Sequence, residues 1–568
     1  MDDVAARRLG RWPRALSCGL LALALPFCLA PARAQSIAGQ QEQREREQRD
    51  AEQRARLRES PDVRLQPAPS SDYRQTGLPR ETPCFRLDSI VLEGGRREAF
   101  GFLQRYLDRY RGQCVGQQGL ALLVRRASDL VLARGYVTTR LAVPEQNLAQ
   151  GRLRLLLAPG TLGAVRFAPG SATADWRSAL PLRPGDLLDL RAIEQGLEQF
   201  KRVPSQDVKI DIAPGAAPGT SDLVLTVVRA RPWRYTFELD DGGIRATGRE
   251  QGGINLALDQ PLGVNDILVA GVTHSVGDDH GVRGTHGGDL DYSLPRGWWT
   301  FELSSNGYGY RQPVTGAMQT FSFTGRSRTN AASATRLLHR DQRSKTSLQL
   351  TLSGRQAHSY VDGEEIAVQR RRTRALELAL VQRRYLGDAQ LDLRLAWRRN
   401  VPWFGGDWAA GHDGGPTFRA SIATLDASLG LPFQAAGQRW LWASELRAQA
   451  TGDQVYAEDY LTVAGRYTVR GFDGEQTLGG PHGGYWRNTL SWLPGGSGVA
   501  LYGGVDVGRA GGVPTPGLSG HAVSGAVLGV RGGRWGLSWD LFAGWALHAP
   551  AGLRTARPAA GMQWIYVF

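Results

Sequence analysis

From Trp233 to Phe568 apolar and polar positions alternate in short runs, separated by Gly, Asp, Asn and Pro. The run 234–240 puts Tyr235, Phe237 and Leu239 on one face, and 253–259 does the same with Ile254, Leu256 and Leu258. Runs at 347–353 and 375–380 repeat the pattern. Side chains of a strand point to opposite faces in turn, so each run is a strand with one apolar face. Many such strands in series predict a closed antiparallel barrel with an apolar outside and a polar interior, the form in which strands cross a lipid bilayer. At roughly 20 residues per strand and turn, the region holds about 16 strands. Its last segment places Met562, Trp564, Tyr566 and Phe568 on one face, an aromatic terminal strand suited to closing the barrel.

Before the barrel the period changes. From Pro83 the pattern predicts a strand at 85–92, a helix carrying Phe100, Leu103 and Leu107, and a second helix at 120–131 that ends at Gly135. Strands at 137–143 and 152–158 follow. The same β-α-α-β-β order recurs at 162–167, 175–180, 189–200, 209–213 and 223–228, an internal repeat of two small domains at 83–160 and 161–230. Residues 40–56 are almost all Gln, Glu, Asp and Arg, with acid-first i,i+4 pairs such as Glu42–Arg46 and Glu52–Arg56. That composition predicts a helix with no apolar face, which belongs in water or a polar channel. Residues 59–82, with Pro61, Pro67, Pro69 and Pro79, predict a partly extended linker. Residues 1–34 read as a secretory signal: Arg7, Arg8, Arg11 and Arg14, an apolar run, then Ala32-Arg33-Ala34 before Gln35. The apolar run is too short for a membrane helix.

Composition narrows the chemistry. The formal charge is +14, but 65 of the 68 basic residues are Arg and they are interleaved with acids throughout. No basic stripe marks a nucleic-acid partner. Cys18 and Cys28 fall within the signal, leaving Cys84 and Cys114 around one predicted strand and helix. In an oxidising compartment that even pair predicts a disulfide, since a metal site needs more ligands than two Cys and scattered His. The chain has no Gly-x-x-x-x-Gly-Lys-Ser/Thr, His-Glu-x-x-His or Gly-x-Ser-x-Gly motif. The expectation is a non-enzyme without cofactor, catalytic residues or metal.

The most specific motif is Val469-Arg470-Gly471-Phe472, in a Gly-rich polar stretch, with Gly504-Val505-Asp506-Val507-Gly508 downstream. Together with Cys84-Phe85-Arg86-Leu87-Asp88-Ser89-Ile90, Pro181-Leu182-Arg183-Pro184-Gly185-Asp186 and Asp240-Asp241-Gly242-Gly243, it resembles the transporter component of two-partner secretion, the TpsB family of the FhaC/ShlB type. The resemblance runs from Cys84 to Phe568. It implies a plug helix at 35–58, a linker at 59–82, POTRA domains at 83–160 and 161–230, and a barrel at 231–568. It also implies a long loop folded back into the barrel, on which Arg470 pairs with Asp506 of a Phe-x-Asp-x-Gly wall motif. Here Phe472 stands for the family's Tyr and Gly504 for its Phe, while Asp506 and Gly508 match. An Arg crossing a partly dehydrated lumen needs a carboxylate, and its planar fork can bind one bidentately.

The implied function is a protein pore in a Gram-negative outer membrane, with the POTRA domains in the periplasm. It would secrete a large β-rich TpsA-type exoprotein whose N-terminal secretion domain binds the POTRA domains. Strand 137–143 and the groove beside helix 189–200 are the candidate cargo surfaces. Outer-membrane lipids and, during biogenesis, the barrel-assembly machinery are further implied partners. The alternatives are a BamA-type insertase, which usually has more repeats, a passive porin, which has no use for residues 83–230, and a periplasmic protein with a soluble β-domain.

Overall fold

The computed structural model describes residues 62–65, 72–277, 281–409, 415–496, 498–512 and 518–568. The predicted signal (1–34) and polar helix (35–58) lie outside the described residues. The first N-terminal domain contains β1 (Ser89–Gly94), α1 (Gly101–Leu107), α2 (Gln117–Ala133), β2 (Arg140–Ala142) and β3 (Arg152–Ala158). Its sheet runs β1-β3-β2, with β1 and β3 parallel and β2 antiparallel to β3. The second contains β4 (Thr161–Phe167), α3 (Trp176–Ala179), α4 (Leu190–Lys201), β5 (Gln206–Pro214) and β6 (Thr220–Arg229). Its sheet order, β4-β6-β5, repeats the same parallel and antiparallel pairings. Each domain buries its own apolar cluster, around Phe100, Tyr110 and Leu155 in the first and Ile193, Phe200 and Leu225 in the second.

Two sequence expectations are corrected here. The strand predicted at 137–143 is only Arg140–Ala142, because 136–139 form the turn that leaves α2. The linker predicted to run to residue 82 is not a free tether. Tyr73 and Leu78 pack on the first core, and Arg126 donates to the Gly77 carbonyl at 2.8 Å. Glu81 accepts from the backbone of Gly116, Gln118 and Gly119 at 3.2, 2.8 and 2.7 Å. A carboxylate there satisfies the orphan N–H groups that open α2.

Among the described residues, sixteen long antiparallel strands close a barrel, from β7 (Trp233–Asp240) to β22 (Ala559–Val567). Closure is β22 on β7, in register from Gln563↔Asp240 to Val567↔Thr236. Tyr566 and Phe568 face outward, and Phe568 exchanges backbone hydrogen bonds with Tyr235. Along the strands, outward side chains such as Phe237, Leu303, Leu380 and Trp545 stay exposed, forming the apolar exterior that the alternation predicts. Since β7 starts just after β6 ends, the turns at 297–298, 341–343, 436–437 and 535–536 lie at the end nearest the N-terminal domains. Most of the longer connections lie at the other end, and the longest is the loop 451–481.

Helix α4 corrects a third expectation. All of Leu190 to Phe200 is buried, including Arg191, Glu194, Gln195, Glu198 and Gln199. One face fills the second core, while the polar face lies on the near-end turns of the barrel. Gln195 and Gln199 donate to the Gly297 carbonyl, and Arg202 donates to Ser293 Oγ at 2.5 Å. The groove beside 189–200 is therefore occupied by the barrel itself.

Candidate functional site

The loop 451–481 leaves β17 (Gln438–Ala450), forms a short hairpin of Leu461–Val463 with Leu478–Gly480, and returns to β18 (His482–Leu493). Its interior is apolar. Val463, Ala464, Val469, Phe472 and Leu478 pack with Ala510 and Val523 of the wall. A loop that buries side chains must have something to bury them against, and here it is the inner barrel surface. Asp506 lies on β19 (Val499–Gly511), fully buried, between outward-facing Val505 and Val507 that are 54% and 45% exposed. Alternation along the strand therefore points Asp506 into the lumen.

Arg470 meets Asp506 there. Nε donates to Oδ2 at 2.7 Å, Nη2 to Oδ1 at 2.6 Å, and the Arg470 backbone N–H adds a bond to Oδ2 at 2.9 Å. Nη2 also reaches the Asn488 carbonyl at 3.1 Å. The two side chains are 8% and 0% exposed. This is the bidentate, multiply satisfied form of a buried ion pair, which fixes orientation as well as charge.

Small wall residues make room for the loop. A Cβ added to Gly504 would sit 2.6 Å from Arg470 Nη2 and 2.5 Å from the Asn488 carbonyl oxygen. The glycine at the family's Phe position thus accommodates the guanidinium. Gly508 faces Val469 in the same way. Gly525, on β20 (Ala522–Arg534), would place a Cβ 1.8 Å from the Arg470 carbonyl oxygen, and Gly544, on β21 (Leu537–His548), would place one 2.8 Å from Gly471 Cα. Gly471 itself has φ +104 and lies against the Trp545 carbonyl, a position open only to glycine. Phe472 is buried among apolar groups, so the ring does the packing that a Tyr would do there without its hydroxyl.

Sequence reasoning missed a second anchor. Arg466 donates to Asp241 Oδ1 and to the Met562 carbonyl, both at 2.8 Å, and stacks over Phe542 at 4.8 Å. Asp241 also accepts the Met562 backbone N–H at 2.7 Å. Arg466 thus ties the loop to the seam where β22 meets β7. A basic residue four positions before the motif arginine was the available signal. Gly525 and Gly544 carry no local signal, because a glycine in a strand does not say which backbone approaches it.

Other lumen charges pair along the wall. Arg383 binds Asp392 at 2.6 Å, Arg394 binds Glu377, Arg447 lies 3.5 Å from Asp426, and Arg487 lies 3.3 Å from Glu445. A wall whose charges already neutralise one another is polar without being a strong binding site for either sign. No group of His, Cys, Asp or Glu among the described residues could hold a metal ion. Cys84 and Cys114 form a disulfide with Cα atoms 5.5 Å apart, pinning the short strand pair that opens the first domain.

Comparison with known proteins places this geometry. Residues 219–532 match the family model described as haemolysin secretion/activation protein ShlB/FhaC/HecB. Residues 85–160 match the ShlB-type POTRA domain, and 161–214 match a second POTRA model. The chain is 40% identical to outer membrane transporter CdiB-2 of Burkholderia pseudomallei, covering 94% of each. It is 24% identical to the hemolysin transporter ShlB of Serratia marcescens over 73% of each. Its structure is similar to that of CdiB from Acinetobacter baumannii, with a TM-score of 0.84 and 26% identity, over 94% of this chain and 99% of that one.

Proposed function

We infer the function from one premise: the chain belongs to the ShlB/FhaC/HecB haemolysin secretion/activation family, the transporter component of two-partner secretion. It is an outer-membrane protein transporter with a sixteen-stranded barrel and two POTRA domains. Members of this family work with a secreted exoprotein. Our reading is that the POTRA domains stand in the periplasm, capture the exoprotein's N-terminal secretion domain, and pass it unfolded into the lumen. The chain acts without catalysis, and folding of the β-rich cargo outside the cell supplies direction.

The observation that carries the reading is the loop bearing Arg470, docked on Asp506 inside a barrel that is continuous with two POTRA domains. A passive porin needs neither feature. With α4 buried on the barrel, β2 becomes the favoured cargo surface. It is an edge strand of its sheet among the described residues, with Val143 exposed beside it. An unpaired edge accepts an extended segment by strand addition. The polar segment 35–58 acts as the plug of the resting pore.

The test is deletion of this chain from its host, with mass spectrometry of the medium and the outer membrane. Loss of one large exported protein, with other barrels unchanged, is expected. A general fall in outer-membrane barrels would instead establish an insertase, and no change in either fraction would overturn the secretion reading.

A further inference from the structure

On the outer face of the barrel, strand register fixes the row in which each side chain stands. β11 (Trp299–Thr315), β12 (Thr320–Arg340), β13 (Ser344–Val361) and β14 (Arg371–Leu386) are neighbours there. One outward row across them is apolar: Leu303, Ala332, Leu352 and Leu376. The next row toward the far end is Ser305, Asn330, Gly354 and Arg374, and the one after it is Gly307, Arg328, Gln356 and Arg372. Arg326 stands two residues beyond Arg328 on the same face. From Trp299 to the Gly307–Arg328 pair, eight residues at about 3.3 Å and a 35–45° tilt rise about 19–22 Å. The apolar band of such a barrel is ~25 Å tall, so these arginines stand near its far edge and not at its middle.

The small residues of the second row leave a groove of about 670 Å³, lined by Leu290, Leu303, Ala332 and Leu352 and reached by Arg374 and Phe404. A hollow of about 340 Å³ farther along is bounded by His286, Arg311, Arg326 and Tyr360. The Arg326 guanidinium lies 5.3 Å from the centre of the Tyr360 ring, and Arg374 donates to the Thr373 carbonyl at 2.9 Å. The lumen side of the same wall is different. There Arg371 lies 3.8 Å from Glu458, Arg398 binds Asp459 at 2.6 Å, and Arg394 binds Glu377. Among the described residues, no carboxylate lies within ion-pair distance of Arg326, Arg328, Arg372 or Arg374. Glu365 on that side is held by His358 and Arg370, and Asp407 accepts the Arg372 backbone N–H at 2.7 Å. Farther round the barrel, the outward far-end positions Ala423, Ala448, Gly484 and Ser524 are small and uncharged, with Arg509 among them.

We propose that this face is a binding site for a phosphorylated glycolipid of the outer leaflet, the lipid A of lipopolysaccharide, with an acyl chain in the groove and phosphate on Arg326, Arg328 and Arg374. Arginines without carboxylate partners at the edge of a bilayer meet anionic headgroups, and phosphate is the anion their planar fork binds bidentately. A free anion would use the arginines alone. A lipid also uses the apolar groove beside them, and the rows set chain site and charge site in the order in which a lipid carries its chains and its headgroup. The site rests on the outer-membrane reading, which sets the far end of the barrel at the cell surface, but its binding test needs no cargo.

The experiment uses the full chain, delipidated in a zwitterionic detergent, with bound lipid counted by native mass spectrometry as diphosphorylated lipid A is added. Wild type is expected to bind it at least about tenfold more tightly than lipid A stripped of its phosphates, or than phosphatidylglycerol. The triple variant Arg326→Gln/Arg328→Gln/Arg374→Gln should bind it at least about tenfold more weakly than wild type. Arg336→Gln, which removes an outward arginine over Trp299 at the near end, should bind as wild type does. Heat-modifiable migration confirms a folded barrel in each variant. Wild-type affinity in the triple variant, or equal affinity for the phosphate-free lipid, would overturn the proposal. Equal affinity for phosphatidylglycerol would do so too, since any anionic lipid would then suffice. On intact cells a membrane-impermeant maleimide should label Val368→Cys, which is 80% exposed in the far-end connection, and should spare Arg343→Cys in a near-end turn. The reverse labelling would overturn the site by placing its arginines at the inner leaflet, a failure of the orientation that leaves the lipid affinities themselves unchanged.

Discussion

Replacing Asp506 with Asn tests whether the loop is held by charge or only by shape. Asp506 accepts three bonds from Arg470, at 2.6, 2.7 and 2.9 Å, in a site where it has no exposure. Asn keeps the volume and one acceptor oxygen but turns an NH2 group toward the guanidinium, leaving a buried cation without its counter-charge and without one of its three side-chain bonds. Breaking one side of a buried pair costs about 3–5 kcal/mol, and the low end applies beside a water-filled lumen. About 3 kcal/mol changes the docked-to-undocked ratio by ~10². Val469, fully buried in the docked loop, is the reporter. With Val469→Cys in both backgrounds, a membrane-impermeant maleimide should label the Asp506→Asn protein about 100-fold faster. The double variant Arg470→Met/Asp506→Leu should label more slowly than either Arg470→Met or Asp506→Leu alone, because it removes both charges. Wild-type labelling in Asp506→Asn, with single effects that simply add in the double variant, would refute electrostatic docking.

Three further outcomes follow from the same geometry. Gly525→Ala, whose Cβ would overlap the Arg470 carbonyl, should undock the loop in the Val469→Cys assay, whereas Gly503→Ala, with nothing closer than 3.2 Å, should not. Cys84→Ala/Cys114→Ala opens a crosslink spanning 30 residues and should cost the first domain about 3–4 kcal/mol, read as a lower urea midpoint for proteolysis within 85–160. Burial pushes the Asp62 carboxyl up, but hydrogen bonds from Lys345 and Tyr385 together with the Lys345 charge outweigh it and hold the pKa at about 2 against an ordinary 3.8. A depressed acid stabilises its contact fully above its unfolded value and loses that contribution as pH falls through the folded one. The Asp62–Lys345 contact should therefore be unchanged from about pH 8 to pH 5, and faster trypsin cleavage after Arg64 at mild acidity would contradict the assignment.

The fold was legible where one physical signal dominates. Alternation at 233–568 identified the barrel because lipid selects apolar side chains on every second position, and Tyr235, Phe237 and Leu239 face outward as predicted. It understated strand length. The run at 347–353 reads as seven residues, yet its strand Ser344–Val361 spans 18, and Thr320–Arg340 spans 21. The polar stretch Arg326-Ser327-Arg328-Thr329-Asn330 of the latter remains paired in a backbone ladder that needs no apolar face. Arg470 and Asp506 were legible as a motif pair, while the glycines that receive the loop were not.

Helix α4 and residues 62–65 were misread for a common reason. Glu194, Gln195, Glu198, Gln199 and Arg202 form a polar face that periodicity assigns to solvent, and 59–82 has the composition of a solvated linker. Both are buried because a polar surface also packs well against another polar surface when each donor finds an acceptor. Sequence pattern reports what a face avoids, not what covers it. Gln195 and Gln199 of α4 donate to the Gly297 carbonyl and Arg202, just after it, to Ser293, so the polar face of the second POTRA domain is covered by the barrel mouth. Freeing the loop would strand Asp506, which is fully buried and holds Arg470 at 2.6 Å, so the docked position of the loop is fixed by charge as well as by packing.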